Sequence, residues 1–315
     1  MAAQQRGAAK LRQYLADPKK IVVCPGVHDG ITARMALQVG FDALYMTGAG
    51  TAVSRLGQPD LGLTTVDDMA SNAGMIAGLD RSVPVIADAD TGFGGPLMVA
   101  RTTEKYILQG VAGFHIEDQV TTKRCGHLLG KELVDDQVYW SRIRAAAHAR
   151  ARMGSDIVII ARTDALQSLG YDEAVRRLKG AVEAGADVAF LEGMESREQM
   201  RQVVEALSPT PCFLNMVGGG VTPLINAREA QDLGFKIVIW PMCGMSAVYL
   251  GMREFARELK ETGEIKERYI TVEDGIQKVD GSVRDVFELC GLKECSAFDQ
   301  EVGAPVSPRA YRSGP

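Results

Sequence analysis

Short apolar runs rich in β-branched residues recur along the chain and alternate with longer segments in which apolar positions have a helical spacing. Eight of these runs have the length and composition of buried strands. They lie at residues 21–26, 42–48, 83–90, 113–118, 156–163, 187–193, 212–217 and 236–242. Continuous apolar strands that alternate with amphipathic helices are typical of a parallel sheet covered by helices. The pattern therefore predicts eight consecutive β/α units.

Eight such units in 315 residues favour the α/β fold class and a closed (β/α)8 TIM-type barrel. A doubly wound open sheet is the alternative, but no GxGxxG segment follows the first strand. We predict one barrel domain over residues 1–300, with an N-terminal helix and a C-terminal helical extension, and a disordered tail over 301–315. The extension comprises a helix at about 244–263 and a segment at 272–292 with a mixed helical pattern.

Composition and charge exclude several classes of protein. The chain has 40 acidic and 35 basic side chains and a formal net charge of −5, so neither nucleic acid nor a membrane surface is an expected partner. The N-terminal segment lacks the apolar core of a secretory signal, and no apolar run approaches the ~20 residues of a membrane-spanning helix. The six cysteines have no CxxC spacing, which indicates reduced thiols. We expect a cytoplasmic protein, with a mitochondrial location left open.

Polar or ionisable side chains stand where most of the predicted strands end. Because barrel enzymes carry their chemistry at the carboxyl ends of the strands, we expect these side chains to converge on one site. In chain order they are His28, Asp29, Tyr45, Thr47, Asp88, Asp90, Glu117, Asp118, Arg162, Asp164, Glu192 and Asn215. Any one of them alone would be read as a solvated loop residue, but repetition on consecutive strands favours a shared site.

The segment ADADTGFGG predicts a metal site. Asp88 and Asp90 alternate along the predicted strand, so their carboxylates should point the same way. At a separation of ~4 Å they would repel each other by ~4 kcal/mol at an effective dielectric of about 20, and a divalent cation is the simplest compensation. Oxygen ligands favour Mg²⁺ or Mn²⁺, and Asp60 and Glu117 could complete the set. The alternative is that the two aspartates cap loop backbone.

A long loop over 118–134 follows the fourth predicted strand and has the length of a lid or binding loop. It carries Lys123, Arg124, Cys125, His127 and Lys131. Because neighbouring cations lower the pKa of a thiol, Cys125 is a candidate proton donor or base. The other five cysteines, and the imidazoles of His115 and His148, are interpreted as structural.

The segments YMTGAG, ADADTGFGG, HIEDQ, KRCGH, IARTDA and LNMV followed by TP together resemble the isocitrate lyase/phosphoenolpyruvate mutase superfamily. The resemblance extends over roughly residues 20–245. KRCGH is similar to the lyase and hydrolase branch, which includes 2-methylisocitrate lyase, 2,3-dimethylmalate lyase and oxaloacetate hydrolase. The phosphonomutases of the superfamily lack this cysteine motif.

The resemblance implies a barrel whose last helix is swapped between subunits, in a homotetramer formed as a dimer of dimers. It implies Mg²⁺ held by Asp90, Asp88, Asp60 and Glu117. It also implies that Cys125, Tyr45 and Arg162 are catalytic. The implied substrate-binding residues are Tyr45, Thr47, Gly48, Ala49, Asp88, Gly126, His127, Arg162, Glu192 and Asn215.

These implications predict a Mg²⁺-dependent carbon–carbon lyase of the retro-aldol type. The expected substrate is a small 2-hydroxy di- or tricarboxylate, such as 2-methylisocitrate or 2,3-dimethylmalate, from which a 2-oxo acid is released. One alternative is an oxaloacetate hydrolase that forms oxalate and acetate. Others are a biosynthetic aldol-type or decarboxylating enzyme acting on a specialised oxo acid, and a non-enzymatic scaffold.

Three departures from the family pattern bear on the substrate, and the third involves two residues. His28 stands where relatives have tyrosine or another residue, and Gly218 where they usually have glutamate. Trp240 and Cys243 at the end of the eighth predicted strand also differ. Pro241 is lyase-like, since the hydrolases tend to carry serine there.

Overall fold

A computed structural model of the chain describes residues 7–126, 130–265, 270–273, 276–279 and 281–303. The chain divides into two compact units, residues 1–249 and 250–315. Every helix in the described part of the chain is too short or too polar to cross a lipid bilayer.

Eight parallel strands form the first unit's sheet. They are β1 (Val22–Val27), β2 (Leu44–Met46), β3 (Val85–Asp88), β4 (Gly113–Glu117), β5 (Val158–Thr163), β6 (Val188–Leu191), β7 (Cys212–Asn215) and β8 (Ile237–Trp240). Each strand pairs with the next one in the chain, and β8 pairs with β1, so the sheet is a closed barrel. The predicted (β/α)8 barrel is confirmed, and each predicted strand overlaps one observed strand.

Helices alternate with these strands. They are α1 (Gly7–Ala16), α2 (Gly30–Val39), α3 (Gly48–Leu56), α4 (Val66–Leu79), α5 (Pro96–Gln109), α6 (Asp136–Arg152), α7 (Leu166–Leu169), α8 (Tyr171–Glu183), α9 (Arg197–Leu207), α10 (Ala227–Asp232) and α11 (Cys243–Thr262). Local signals set several of their boundaries. Asp29 caps α2 and Thr65 caps α4, each through a reciprocal hydrogen-bonded box. Gly40 and Gly57 end α2 and α3 in the left-handed conformation that suits glycine.

The apolar core has two layers, which explains why the strands read as uninterrupted apolar runs. Along β5, Val158 and Ile160 pack inside the barrel, whereas Ile159 and Ala161 pack against the helices. A strand buried on both faces needs apolar residues at every position. Leu11 of α1 is fully buried in the inner layer, so the N-terminal helix packs against the barrel interior.

The C-terminal extension contains an element that the sequence analysis missed. Within the segment that was expected to have a mixed helical pattern, β9 (Ile270–Glu273) and β10 (Ile276–Val279) form an antiparallel hairpin. The helices α12 (Val283–Leu289) and α13 (Leu292–Glu301) follow it. The helical expectation was therefore wrong for the hairpin. Residues 304–315, most of the predicted disordered tail, lie outside the described residues.

Gly26 lies at the seam between β1 and β8 that closes the barrel. A Cβ at this position would lie 2.2 Å from the carbonyl oxygen of Pro241, a backbone atom that cannot rotate away. We therefore expect Gly26→Ala to lower the free energy of unfolding by about 1–3 kcal/mol, measured by urea denaturation. The matched control is Gly78→Ala in α4, where a Cβ would meet no other described atom within 4 Å. Equal unfolding free energies for the two variants would contradict this account.

Candidate active site

A cavity of about 260 Å³ opens at the carboxyl ends of the barrel strands. It brings together most of the residues that the sequence analysis selected: Tyr45, Thr47, Ala49, Asp60, Asp88, Cys125, Gly126, Arg162, Glu192 and Asn215 all line it. Asp90 lines a neighbouring cavity, and Glu117 is fully buried at the end of β4. His127 lies outside the described residues.

The predicted carboxylates are close together, but not for the reason the strand pattern suggested. Strand β3 ends at Asp88, so the alternation of a strand does not extend to Asp90. Asp90 adopts a left-handed φ of 46°, and its backbone N–H donates a 2.8 Å hydrogen bond to Oδ1 of Asp88. A left-handed non-glycine residue is costly and is found mainly where function requires it. The turn after β3 therefore places the second carboxylate.

Lys123 of the long loop compensates part of this negative charge. Its Nζ lies 2.6 Å from Oδ1 of Asp90 and 2.8 Å from Oδ1 of Asp60, and the side chain is buried. In the described residues no three His, Cys, Asp or Glu side chains are already arranged around a metal position. The lysine ammonium is the cation between these two aspartates. From the sequence, Lys123 was expected only as a cation near Cys125, and its ion pair with the two aspartates was not predicted.

The buried carboxylates of Glu117 and Asp88 are only partly compensated by positive charge. Both carboxylate oxygens of Glu117 are buried, with no hydrogen-bond partner among the described residues, and Oε2 lies 3.4 Å from Nε of Arg162. Burial raises the pKa of Glu117 well above its ordinary value. Burial, and next the neighbouring charge of Asp90, raises the pKa of Asp88 to about 7. Oxygen donors in this state fit a divalent cation.

His115 lies beside this cluster on the inner face of β4. Its Nε2 lies 2.8 Å from Oη of Tyr45 and 3.7 Å from Oδ1 of Asp88. Burial, followed by the charges of Arg162 and Lys123, lowers the pKa of His115, so the imidazole is neutral. Burial and Asp88 raise the pKa of Tyr45, which keeps the phenol protonated. His115 and Glu117 are two residues apart on β4, so their side chains point to the same face of the strand. This spacing in the sequence could have predicted that His115 faces the site.

Arg162 is held in one orientation by acidic partners. Its Nε lies 3.0 Å from Oδ2 of Asp164, and its Nη2 lies 3.1 Å from Oδ1 of the same carboxylate. Glu192 lies 3.7 Å away and accepts a 3.0 Å hydrogen bond from Nδ2 of Asn215. A two-pronged contact of this kind fixes a guanidinium geometrically as well as electrostatically.

The described part of the long loop lies over the cavity. Nζ of Lys131 donates to the carbonyl of Gly126 at 2.8 Å and to Asp164 at 2.9 Å. A Cβ at Gly126 would lie 2.2 Å from Nη2 of Arg162, so glycine is required for this approach. Cys125 is half-buried and lines the cavity, and its backbone N–H donates to the carbonyl of Asp60 at 3.2 Å. Lys123 and Lys131 each pair with carboxylates, so these carboxylates largely balance the positive charge that the two lysines bring near the thiol.

The N-terminus of α3 faces the same cavity. The hydroxyl of Thr47 accepts a 3.2 Å hydrogen bond from the N–H of Gly50, and the amides of Gly48 and Ala49 precede the first intrahelical hydrogen bond. A Cβ at Gly48 would lie 2.3 Å from Oδ2 of Asp88, so the helix start can approach the carboxylate only as glycine. Amides at a helix N-terminus bind anions.

The residues that depart from the family pattern divide into two groups. Gly218 lines the cavity, as does the lyase-like Pro241, whereas His28, Trp240 and Cys243 do not. His28 is buried behind Gly50, with Nδ1 lacking a hydrogen-bond partner among the described residues. The Sγ of Cys243 lies 3.5 Å from the carbonyl of Gly26.

The chain is similar to proteins of known function along most of its length. The model of the phosphoenolpyruvate phosphomutase family matches residues 11–260. The chain is 44% identical to 2,3-dimethylmalate lyase of Eubacterium barkeri over 253 residues, covering 80% of this chain and 86% of that enzyme. It is 40% identical to 2-methylisocitrate lyase of Aeropyrum pernix over 298 residues, covering 95% of this chain and 92% of that enzyme.

Solved structures of related enzymes superpose on this chain over most of its length. A crystal structure of 2,3-dimethylmalate lyase superposes with a TM-score of 0.91 at 51% identity, covering 98% of this chain and 99% of that one. Oxaloacetate acetylhydrolase with 3,3-difluorooxalacetate superposes with a TM-score of 0.89 at 49% identity, covering 96% and 99%. A phosphonopyruvate hydrolase complex with oxalate and Mg²⁺ has a TM-score of 0.79 at 26% identity, covering 94% and 99%.

The ion pair of Lys123 can be tested by Lys123→Met. Removing one partner of a buried ion pair costs about 3–5 kcal/mol, so we expect a lower thermal midpoint in buffer with EDTA. Added Mg²⁺ should recover more of that loss in the variant than in the unaltered protein, because the carboxylates then need another cation.

The control is Lys105→Met, which breaks the exposed ion pair with Asp67 and should cost less than about 1 kcal/mol. If Lys123→Met unfolds like this control with and without Mg²⁺, the charge-compensating role of Lys123 is wrong.

Proposed function

The chain belongs to the phosphoenolpyruvate mutase/isocitrate lyase superfamily, and on this premise we propose that it is a Mg²⁺-dependent carbon–carbon lyase. It cleaves a small 2-hydroxy di- or tricarboxylate by a retro-aldol reaction and releases a 2-oxo acid. One observation carries the proposal: the carboxylates of Asp60 and Asp88, an oriented arginine and the loop thiol of Cys125 line one cavity.

The resemblance to the lyase and hydrolase branch, noted from KRCGH, is confirmed by the relatives, and so is the expectation of a carbon–carbon lyase. A non-enzymatic scaffold is therefore disfavoured.

The metal site uses Asp60, Asp88, Asp90 and Glu117. Two observations support this metal site: the oxygens of Glu117 have no hydrogen-bond partner among the described residues, and the pKa of Asp88 is raised. Both indicate that nearby positive charge does not fully balance these carboxylates. Mg²⁺ bound there would polarise the hydroxyl or oxo group and the adjacent carboxylate of the substrate. Mn²⁺ has the same preference for oxygen ligands.

Substrate recognition begins at the start of α3. The amides of Gly48 and Ala49 bind the C1 carboxylate, and Arg162 faces the second carboxylate. Because Asp164 already holds Arg162 in place, the guanidinium needs no reorganisation when the substrate arrives.

Bond cleavage requires two proton transfers. The C2 hydroxyl passes its proton to Oη of Tyr45 as the phenol proton moves to Nε2 of His115, and the electrons of that O–H bond form the new carbonyl. The electron pair of the C2–C3 bond moves to C3, where the neighbouring carboxylate stabilises it. The thiol of Cys125 then protonates C3. Positioned proton transfer of this kind contributes about 10²- to 10⁴-fold to the rate.

Oxaloacetate hydrolysis to oxalate and acetate is the second candidate. It is favoured by the 49% identity to oxaloacetate acetylhydrolase over nearly the whole chain. Pro241, which lines the cavity, supports the lyase instead, because the family resemblance associates serine at this position with the hydrolases.

We further propose a homotetramer, a dimer of dimers with swapped helices. None of the 20 residues of α11, all of them described, is buried, although the helix carries the exposed apolar side chains of Val248, Tyr249, Leu250 and Met252. A helix that presents this much apolar surface is expected to be covered. The cytoplasmic location stays a prediction.

The lyase proposal is tested with Cys125→Ser. Purified protein is incubated with Mg²⁺ and 2,3-dimethylmalate, 2-methylisocitrate, isocitrate or oxaloacetate, and pyruvate, glyoxylate and oxalate are assayed separately. We expect a 2-oxo acid from at least one hydroxy acid, and a loss of kcat of about 10²- to 10⁴-fold in Cys125→Ser, because serine is a much weaker acid at C3.

Cys290→Ser, which replaces an exposed cysteine, is the control and should retain activity. If oxalate from oxaloacetate is the only product, the hydrolase proposal replaces the lyase proposal. If Cys125→Ser keeps full activity, the thiol is not the proton donor.

The raised pKa of Asp88 predicts pH-dependent metal binding. A carboxyl whose pKa in the folded protein is about 7 holds its proton below that pH, and the cation must displace it. Affinity for Mg²⁺ therefore weakens as the pH falls through 7, by about tenfold between pH 8 and pH 6 for a single proton. Calorimetry in two buffers with different heats of ionisation measures both the affinity and the released proton. An affinity independent of pH, with no proton release, would contradict the raised pKa of Asp88.

A further inference from the structure

The cavity wall formed after β7 and β8 differs from the rest of the site. It consists of Val217, Gly218, Gly219, Gly220, Pro241 and Met242. None of these six described residues carries an ionisable group, and three consecutive ones have no side chain. We call this wall the β7–β8 recess.

The recess lies across the barrel mouth from the carboxylate cluster. In the closed order of eight strands, β7 is four strands away from β3, which ends at Asp88. A substrate bound through its C1 carboxylate and hydroxyl near Asp88 therefore directs its other end towards the recess. The two ends of the substrate meet chemically different surroundings.

A third carboxylate would find no positive partner at the recess. Among the described residues that line this cavity, the guanidinium of Arg162 is the cationic group, and Asp164 already pairs with it. Asp60, Asp88 and Glu192 add negative charge to the lining. Placing a carboxylate against uncharged groups without a cation is unfavourable. The group that enters the recess should therefore be uncharged.

Gly218 lines the cavity, is itself exposed, and has open space around it. A Cβ there would meet no described atom within 4 Å, and its backbone is not left-handed, so substitution is sterically tolerated. Gly219, by contrast, has a φ of 79°, at which a side chain would be strained. Position 218 is therefore where a substitution can change the recess without distorting the loop.

We propose that the β7–β8 recess binds an uncharged alkyl substituent at C3 of a 2-hydroxy dicarboxylate, longer than a methyl group, and that Gly218 determines this specificity. The inference rests on the proposed lyase function and narrows its substrate class. Val217, Pro241 and Met242 supply apolar contacts, and the three glycines supply room. Tricarboxylates are poor substrates because their third carboxylate would occupy the same place.

The test is a substrate series with matched variants. The substrates are 2-methylmalates with methyl, ethyl, propyl or butyl at C3, and 2-methylisocitrate as the tricarboxylate. Cleavage of the series releases pyruvate and a carboxylic acid, so one pyruvate assay with Mg²⁺ present gives kcat/KM for each. We expect kcat/KM to rise at least threefold per methylene up to propyl, since each buried methylene contributes a gain of this size.

Two substitutions at Gly218 should change the substrate specificity in different ways. Gly218→Val fills the recess and should lower the propyl-to-methyl ratio of kcat/KM at least tenfold. Gly218→Arg supplies a cation and should raise the ratio for 2-methylisocitrate over the propyl substrate at least tenfold. Gly78→Val, on an exposed turn of α4 with no described atom within 4 Å, is the control and should leave both ratios unchanged.

The outcomes separate this inference from the function on which it rests. If the unaltered protein cleaves none of these acids, the lyase proposal itself fails. If it cleaves 2-methylisocitrate as efficiently as the propyl substrate, the recess proposal is overturned while the lyase function stands. The same holds if Gly218→Val lowers kcat/KM equally for all substrates.

Discussion

Negative charge buried at the carboxyl ends of β3 and β4 is the constraint on which the rest of this site depends. Asp88, Asp90 and Glu117 are buried where water hardly solvates them, and buried carboxylates persist only when protons or cations compensate them. Lys123 provides one positive charge, and Arg162 stands 3.4 Å from Glu117. Both carboxylate oxygens of Glu117 have no hydrogen-bond partner among the described residues, which supports the divalent cation site that we propose.

The same charges connect the long loop to the barrel. Lys123 binds the aspartates at one end of the described loop, and Lys131 binds Asp164 near its other end. Cys125 and Gly126 lie between these two contacts, so the electrostatic pairing that balances the buried acids also brings the thiol to the cavity. Loop position and cation binding therefore depend on shared carboxylates, and a change in one is expected to affect the other.

The closed barrel gives the cavity two chemically distinct sides. Strands β3 to β6 contribute ionisable groups such as Asp88 and Arg162, whereas the segments after β7 and β8 contribute apolar side chains and glycines. We propose that the charged side carries the chemistry of the reaction and that the uncharged side selects the substrate. Barrel enzymes diversify in this way because the loops can change without disturbing the strands.

The order of apolar and polar positions by itself determined the fold and several of the polar side chains that line the cavity. Strands buried on both faces require continuous apolar runs, and a closed barrel brings every strand end to one rim, so Tyr45, Asp88 and Arg162 could be placed together from sequence. The tertiary structure alone decided the pairing of Lys123 with Asp60 and Asp90, the contact of His115 with Tyr45, and the left-handed turn at Asp90. These contacts join residues far apart in the chain or depend on a local φ angle, and neither is encoded in the spacing of residues along the chain.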